Sequence, residues 1–251
     1  MKKIIKTEML KTYMGGFFVR VCVFLAGLIV YIWQKPFLES LIRQPIRMGI
    51  TPIHVLWFMW MVIMLSHIFP KEKMTMALRK QHLEKYEEVE GYSELELLRF
   101  VQDANIKAWK VLLVWLFFNA IFGALYLIGI LDNTDLIMLS VFYFLCDYIC
   151  ILFYCPFQSE IMKNKCCVNC RIFEWGHFMM FTPMLFIKNF FSWSLFFTSC
   201  VVLLKWEIVY AKHPERFWRG SNKNLKCEHC KDRLCHFKNR LRAKRNKAKA
   251  R

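Results

Sequence analysis

Six stretches of this chain are apolar over lengths that match a lipid bilayer, and the charge lies between them. They run Phe17–Trp33, Ile53–Phe69, Trp109–Leu131, Leu136–Tyr154, Ile172–Ile187 and Phe190–Tyr210. A hydrocarbon core of roughly 30 Å takes about 20 helical residues. Without water in that core, each backbone N–H and C=O must pair within its own segment, so runs of this kind fold as helices. Of 251 residues, 57% are hydrophobic, and the apolar residues fall in runs, not in the alternation of a soluble sheet. The expected fold is all-α: a polytopic integral membrane protein with about six transmembrane helices. Phe17–Trp33 is long enough to stay as a helix and no small-residue cleavage site follows it, so no cleaved signal peptide is expected.

Charge sets the expected orientation. Lys and Arg number 36 against 19 acids, a net charge of +17. The tail after Tyr210 holds 15 Lys/Arg, and 70–108 holds seven; such segments stay in the cytoplasm. Lys163, Lys165 and Arg171 place the loop before the fifth run there as well. The turn Asp132-Asn133-Thr134-Asp135 has no Lys or Arg and reads as external, as does the short Lys188-Asn189 turn. Lys35, Arg43 and Arg47 fall on the external side against this bias, but Lys2, Lys3, Lys6 and Lys11 outweigh them, giving N-in, C-in in a cell (inner) membrane. The units are then a two-span hairpin (1–69), a cytoplasmic loop (70–108), a second hairpin (109–154), a Cys-rich loop with a third hairpin (155–210) and a basic tail (211–251).

The fifth run is short, at about 24 Å of α-helix, and contains Glu174, Gly176 and Pro183. It reads as a short span or a re-entrant element, and crossing parity favours the span. In the 70–108 loop, Ser93 and Glu96 form a capping pattern. Leu97, Leu98, Val101, Ala104 and Ala108 then repeat at helical spacing, predicting an amphipathic helix along the membrane surface. The acid-rich stretch His82–Glu90 reads as a solvated helical hairpin.

Eleven cysteines, an odd number, do not suggest a disulfide framework. Cys167-Val168-Asn169-Cys170 and Cys227-Glu228-His229-Cys230 bracket the last hairpin. A CxxC turn aims two sulfurs at one point, and two such turns make the tetrahedral thiolate set that holds zinc, or a single iron. The 56 residues between the pairs exceed the spacing of soluble zinc ribbons, but a chain that crosses a bilayer out and back consumes about 40 of them. The expected site is Cys167, Cys170, Cys227 and Cys230 in a small cytoplasmic Cys-rich metal-binding lobe, with Cys166, Cys235, His229 and His236 as spare ligands. Lys165, Arg171, Lys226 and Lys231 flank it and favour thiolate.

Ionisable groups inside a bilayer are costly and mark function. Asp147 lies near the middle of the fourth run, with Arg20 and His177 as candidate partners. It reads either as a proton- or cation-handling carboxylate or as polar glue between helices. Glu174, Lys205 and Glu207 fall near span ends, where the lysine can snorkel. Cys22, Cys146, Cys150, Cys155 and Cys200 read as apolar packing, as do Met179, Met180 and Met184. The basic run Lys238–Arg251 suits anionic lipid headgroups. Nucleic acid is the lesser candidate, because no stacking platform accompanies the charge. An assembly of identical chains is compatible with all of this.

No Walker loop, GxSxG, HExxH or dinucleotide fingerprint is present, so no reaction is marked. The expected function is a structural, scaffold or transport-related membrane protein with a four-Cys, zinc-ribbon-like site. The alternative is a membrane redox enzyme using a rubredoxin-like iron site or a reactive CxxC dithiol.

Overall fold

The computed structural model describes residues 7–36, 52–69, 76–79, 86–164, 166, 169–230, 234–235 and 237–239. Among them there is no β-strand, and the named elements are all helices. Six elements correspond to the six apolar runs: α1 Glu8–Trp33, α2 Pro52–Ile68, α3 Glu94–Leu127, α4 Asn133–Leu152, the short α5 Gly176–Phe181, and α6 Phe190–Lys212. Four of them, α1, α3, α4 and α6, are long and apolar enough to cross a membrane. The expected count of six is therefore met by four, with α2 shorter, at 17 residues, and the fifth element broken.

Short polar caps start these helices. Thr7, Ser93, Asp132 and Asn189 each accept a backbone N–H from the first turn, satisfying donors that have no partner within the helix. At α4 the cap is reciprocal: Asp132 accepts from Asp135 N, and Asp135 from Asp132 N. The preceding turn is made by Gly129 at φ 81°, a conformation open to glycine.

The surface is apolar and the interior carries polar groups. Phe18, Phe58, Phe117 and Phe190 are each more than 60% exposed, while Asn119, Glu174, Thr182 and Ser199 are each at most 4% exposed. A chain that buries polar side chains and turns aromatic ones outward is arranged for a lipid environment. Small residues let the helices approach closely: a Cβ at Gly16 would lie 2.6 Å from the Tyr148 ring, and one at Gly123 would lie 2.2 Å from the Phe186 ring.

Two predicted features are corrected. The amphipathic stretch and the third run form a single helix, α3, of 34 residues. It is about 51 Å long, so its first turns continue the span beyond a bilayer's thickness instead of lying along the surface. The end of the acid-rich stretch is extended, not helical: Glu88 bridges Asn222, with Val89 N donating to Ser221 O and Lys223 N to Glu87 O. Residues 82–85 of that stretch lie outside the described residues.

The fifth element is a 3-10 turn (Phe173–Trp175), α5, and a second 3-10 turn (Thr182–Phe186). Pro183 supplies no N–H, so a regular α-helix fails there. A 3-10 turn rises about 2.0 Å per residue against 1.5 Å for α, so these 14 residues reach about 25 Å. Trp175 packs in a cluster with Ala108 and Val111 of α3. Trp115 Nε1 donates to Thr182 Oγ1, and Phe186 fills the notch at Gly123. The element therefore runs alongside about 22 Å of α3.

Contacts sort the helix termini into two ends. At one end, Lys35 pairs with Asp132 and Asp135, both at 2.7 Å, and these acids raise the lysine's proton affinity. Trp57 Nε1 donates to Ser194 there. At the other end lie the start of α1, the ends of α2, α4 and α6, and the segments 155–164, 169–175 and 213–225.

Candidate metal centre and buried polar cluster

The last hairpin closes on itself at this second end. Arg171 and Glu207 form a two-pronged pair, Nη1 to Oε1 at 2.7 Å and Nη2 to Oε2. Trp206 Nε1 donates to Arg171 O, Trp175 Nε1 donates to Glu207 Oε1, and the guanidinium lies 3.5 Å above the Tyr210 ring. Arg171 is thus buried and committed to Glu207, so it is not the free cation that its position beside Cys170 suggested. Glu207 is correspondingly paired.

Cys170 is buried in one cluster with Trp206, Tyr210 and Phe217. After Phe217 the chain is fixed by Asn222, whose side-chain amide donates to Arg216 O, and Leu225 is buried. Cys227–Cys230 then forms a tight turn, with Cys230 N donating to Cys227 O at 3.4 Å. Cys227 and His229 are exposed, while Cys166, Cys230 and Cys235 are half-buried. Cys167 and His236 lie outside the described residues. Among the described residues, the sulfurs of Cys170, Cys227 and Cys230 do not all lie within 4.8 Å of one another.

One group of three does gather among the described residues. The ligand atoms of His67, Glu174 and His177 lie within 4.8 Å of one another. His67 is in the last turn of α2, Glu174 in the 3-10 turn before α5, and His177 one turn later. The spacing Glu174-Trp175-Gly176-His177 places both side chains on one helical face. His67 Nδ1 lies 2.5 Å and His177 Nδ1 4.0 Å from Glu174 Oε1, and the two imidazole rings are 4.6 Å apart. Glu174, near the start of the fifth run, is only 4% exposed. Lys205 does not snorkel to headgroups, because its Nζ donates to Ile68 O.

Asp147 adjoins this group. Its Oδ2 accepts from Arg20 Nη1 at 2.8 Å, and Arg20 also donates to Phe144 O while lying over the Phe144 and Tyr148 rings. A Cβ at Gly176 would sit 2.9 Å from Asp147 Oδ1, so the glycine leaves room for the carboxylate beside α5. Arg20, His67, Asp147, Glu174, His177 and Lys205 come from five of the six elements. The tertiary position of His67 could not be read from sequence, whereas the Glu-x-x-His spacing could.

Two further groups differ from expectation. The Cys150 thiol donates to Cys155, which also accepts from Gln158 N at 3.4 Å. These bonds, with Lys238 nearby, lower the Cys155 thiol to about 7, so this pair does more than pack. Lys238, read as the start of a solvated tail, is buried and donates to Cys150 O and Gln158 Oε1. Residues 240–251 of the basic run lie outside the described residues. No family model, curated protein or solved structure matches the chain.

Proposed function

We propose that this chain is a transport-related, multi-pass membrane protein whose working site is the cluster of ionisable groups between its helices. In this reading the chain crosses six times with both termini in the cytoplasm, and α2 and the fifth element complete the set. The observation that carries it is the convergence of Arg20, Asp147, His67, Glu174, His177 and Lys205 from five elements onto one largely enclosed region. A charge inside a bilayer costs at least about 2.5–3.5 kcal/mol even on insertion scales. One buried ion pair is adequate glue, and a chain that needs only glue gains more from serine or threonine. Arg20 compensates Asp147, while the two imidazoles and Glu174 share protons near the cytoplasmic end. That arrangement suits a site that accepts and releases a cation.

The cysteine pairs take a structural part in this proposal. Zinc drawn to Cys167, Cys170, Cys227 and Cys230 would tie the loop before the fifth element to the segment after α6, adding folding energy to a lobe with a small core. The Arg171–Glu207 pair already ties the start of the fifth element to the end of α6. Purified protein should then carry zinc that falls by about one ion per chain in Cys170→Ser.

Transport is tested by flux. Proteoliposomes holding the wild-type chain, with an internal pH dye or an internal zinc dye, should show cation entry above protein-free vesicles. Asp147→Asn and Glu174→Gln should lower the rate at least tenfold in vesicles with equal protein content. Wild-type flux equal to that of empty vesicles, or full flux in both variants, would overturn the proposal.

A further inference from the structure

We infer that His67, Glu174 and His177 form a three-ligand site for a divalent transition-metal ion of the zinc type. The inference names the cation class for the buried cluster and so rests on the transport-related reading, but it is tested by binding alone.

The donor set is two imidazoles and one carboxylate, the nitrogen–oxygen chemistry of open zinc sites, in which three protein ligands leave a fourth position free. Metal–ligand bonds of about 2.0–2.1 Å in a tetrahedral site put ligand atoms about 3.3 Å apart. The observed separations from Glu174 Oε1, 2.5 Å to His67 and 4.0 Å to His177, lie on either side of that value. Shifts of about 0.7–0.8 Å in two side chains, within the reach of small torsional changes, would equalise them. His67 can move because it lies in the final turn of α2, with Phe69 exposed beyond it.

Enclosure and access are both present. Glu174 is 4% exposed, whereas the His67 and His177 side chains retain 21% and 16%. The carboxylate is thus fixed inside while part of each imidazole stays accessible. Two imidazoles 4.6 Å apart repel each other when both are protonated. A single dication bound by two neutral rings and one carboxylate removes that conflict. The nearby charges nearly balance: Arg20 is matched by Asp147 at 2.8 Å, leaving Lys205 as the cation that opposes the metal. Its ammonium is directed to the Ile68 carbonyl.

The test uses the full-length chain in detergent micelles, with cobalt(II) as the probe. Wild type should bind cobalt with visible d–d bands that carry no sulfur-to-metal charge transfer, saturating at one ion per chain apart from any thiolate-bound ion. His177→Ala and Glu174→Gln should each weaken that component by on the order of 100-fold. His67→Cys puts a thiolate in the ligand set and should add a charge-transfer band to the same ion, a gain that unfolding cannot mimic. Absence of the sulfur-free component in wild type would overturn the inference. So would unchanged binding in both loss variants, or a His67→Cys chain that binds cobalt without the new band. Cobalt binding without flux leaves the site standing and removes transport; proton flux without cobalt binding does the reverse.

Discussion

Replacing Glu207 by Gln should destabilise the chain more than any other single change at the end of the last hairpin. The Arg171 side chain is 5% exposed and that of Glu207 30% exposed. Their paired hydrogen bonds are extended by Trp175 Nε1 onto the same carboxylate at 2.8 Å. Glutamine keeps the shape and removes the charge, which leaves a guanidinium enclosed by Tyr210 and Trp206 with no counter-ion. Breaking a buried pair from one side costs about 3–5 kcal/mol, because the remaining charge stays desolvated. At 1.4 kcal/mol per decade, that lowers the folded-to-unfolded ratio by roughly two to three and a half orders of magnitude. Arg171→Met should cost less, since Glu207 keeps some access to water. The double variant Arg171→Met/Glu207→Gln should recover most of the loss, because no bare charge remains. Denaturant titration in micelles, read by tryptophan emission with Trp175 and Trp206 at the site, measures all three. Additive losses, or a Glu207→Gln chain as stable as wild type, would refute the claim that this pair closes the hairpin.

Other outcomes follow from close contacts and thiol chemistry. Gly123→Ala puts a Cβ 2.2 Å from the Phe186 ring, an overpacking worth about 1–3 kcal/mol. Phe186→Leu should relieve it, and a double-mutant cycle without coupling would separate the fifth element from α3. Cys155, held down to about 7 by the Cys150 thiol and the Gln158 amide, should be alkylated with a half-maximal rate near pH 7. Cys150→Ala should move that midpoint up toward about 8.5, the ordinary thiol value. Lys35→Ala should cost under about 1 kcal/mol despite its two aspartates, because all but Asp135 are largely exposed. Thermal melts of Lys35→Ala and wild type in the same detergent check this.

The six apolar runs were legible because bilayer length and backbone pairing leave little choice. The Arg20–Asp147 pairing was also within reach, since an acid inside a span needs a cation and few were available. Glu174 was legible as an acid near a span end, but not its burial, which depends on the packing of α2 and α6 around the 3-10 turn that carries it. His67 gave no signal, since a histidine at the end of an apolar helix is ordinary until tertiary packing brings a carboxylate to it. The burial of Lys238 and Arg171 was not legible, because burial of a cation depends on acceptors that sequence distance conceals. The cysteine spacing predicted one four-sulfur site; among the described residues the sulfurs of Cys170, Cys227 and Cys230 are not gathered, and Cys167 lies outside them.

The proposal depends most on the fifth element crossing the membrane, since only then does its Glu-x-x-His face lie between the other helices within the bilayer. A short epitope inserted between Lys188 and Asn189 locates the far side of that crossing, and a second one after Asn164, ahead of the fifth element, locates the near side. In right-side-out vesicles, antibody should reach the first epitope without detergent and the second only after permeabilisation. Finding both epitopes on the same face would contradict the account.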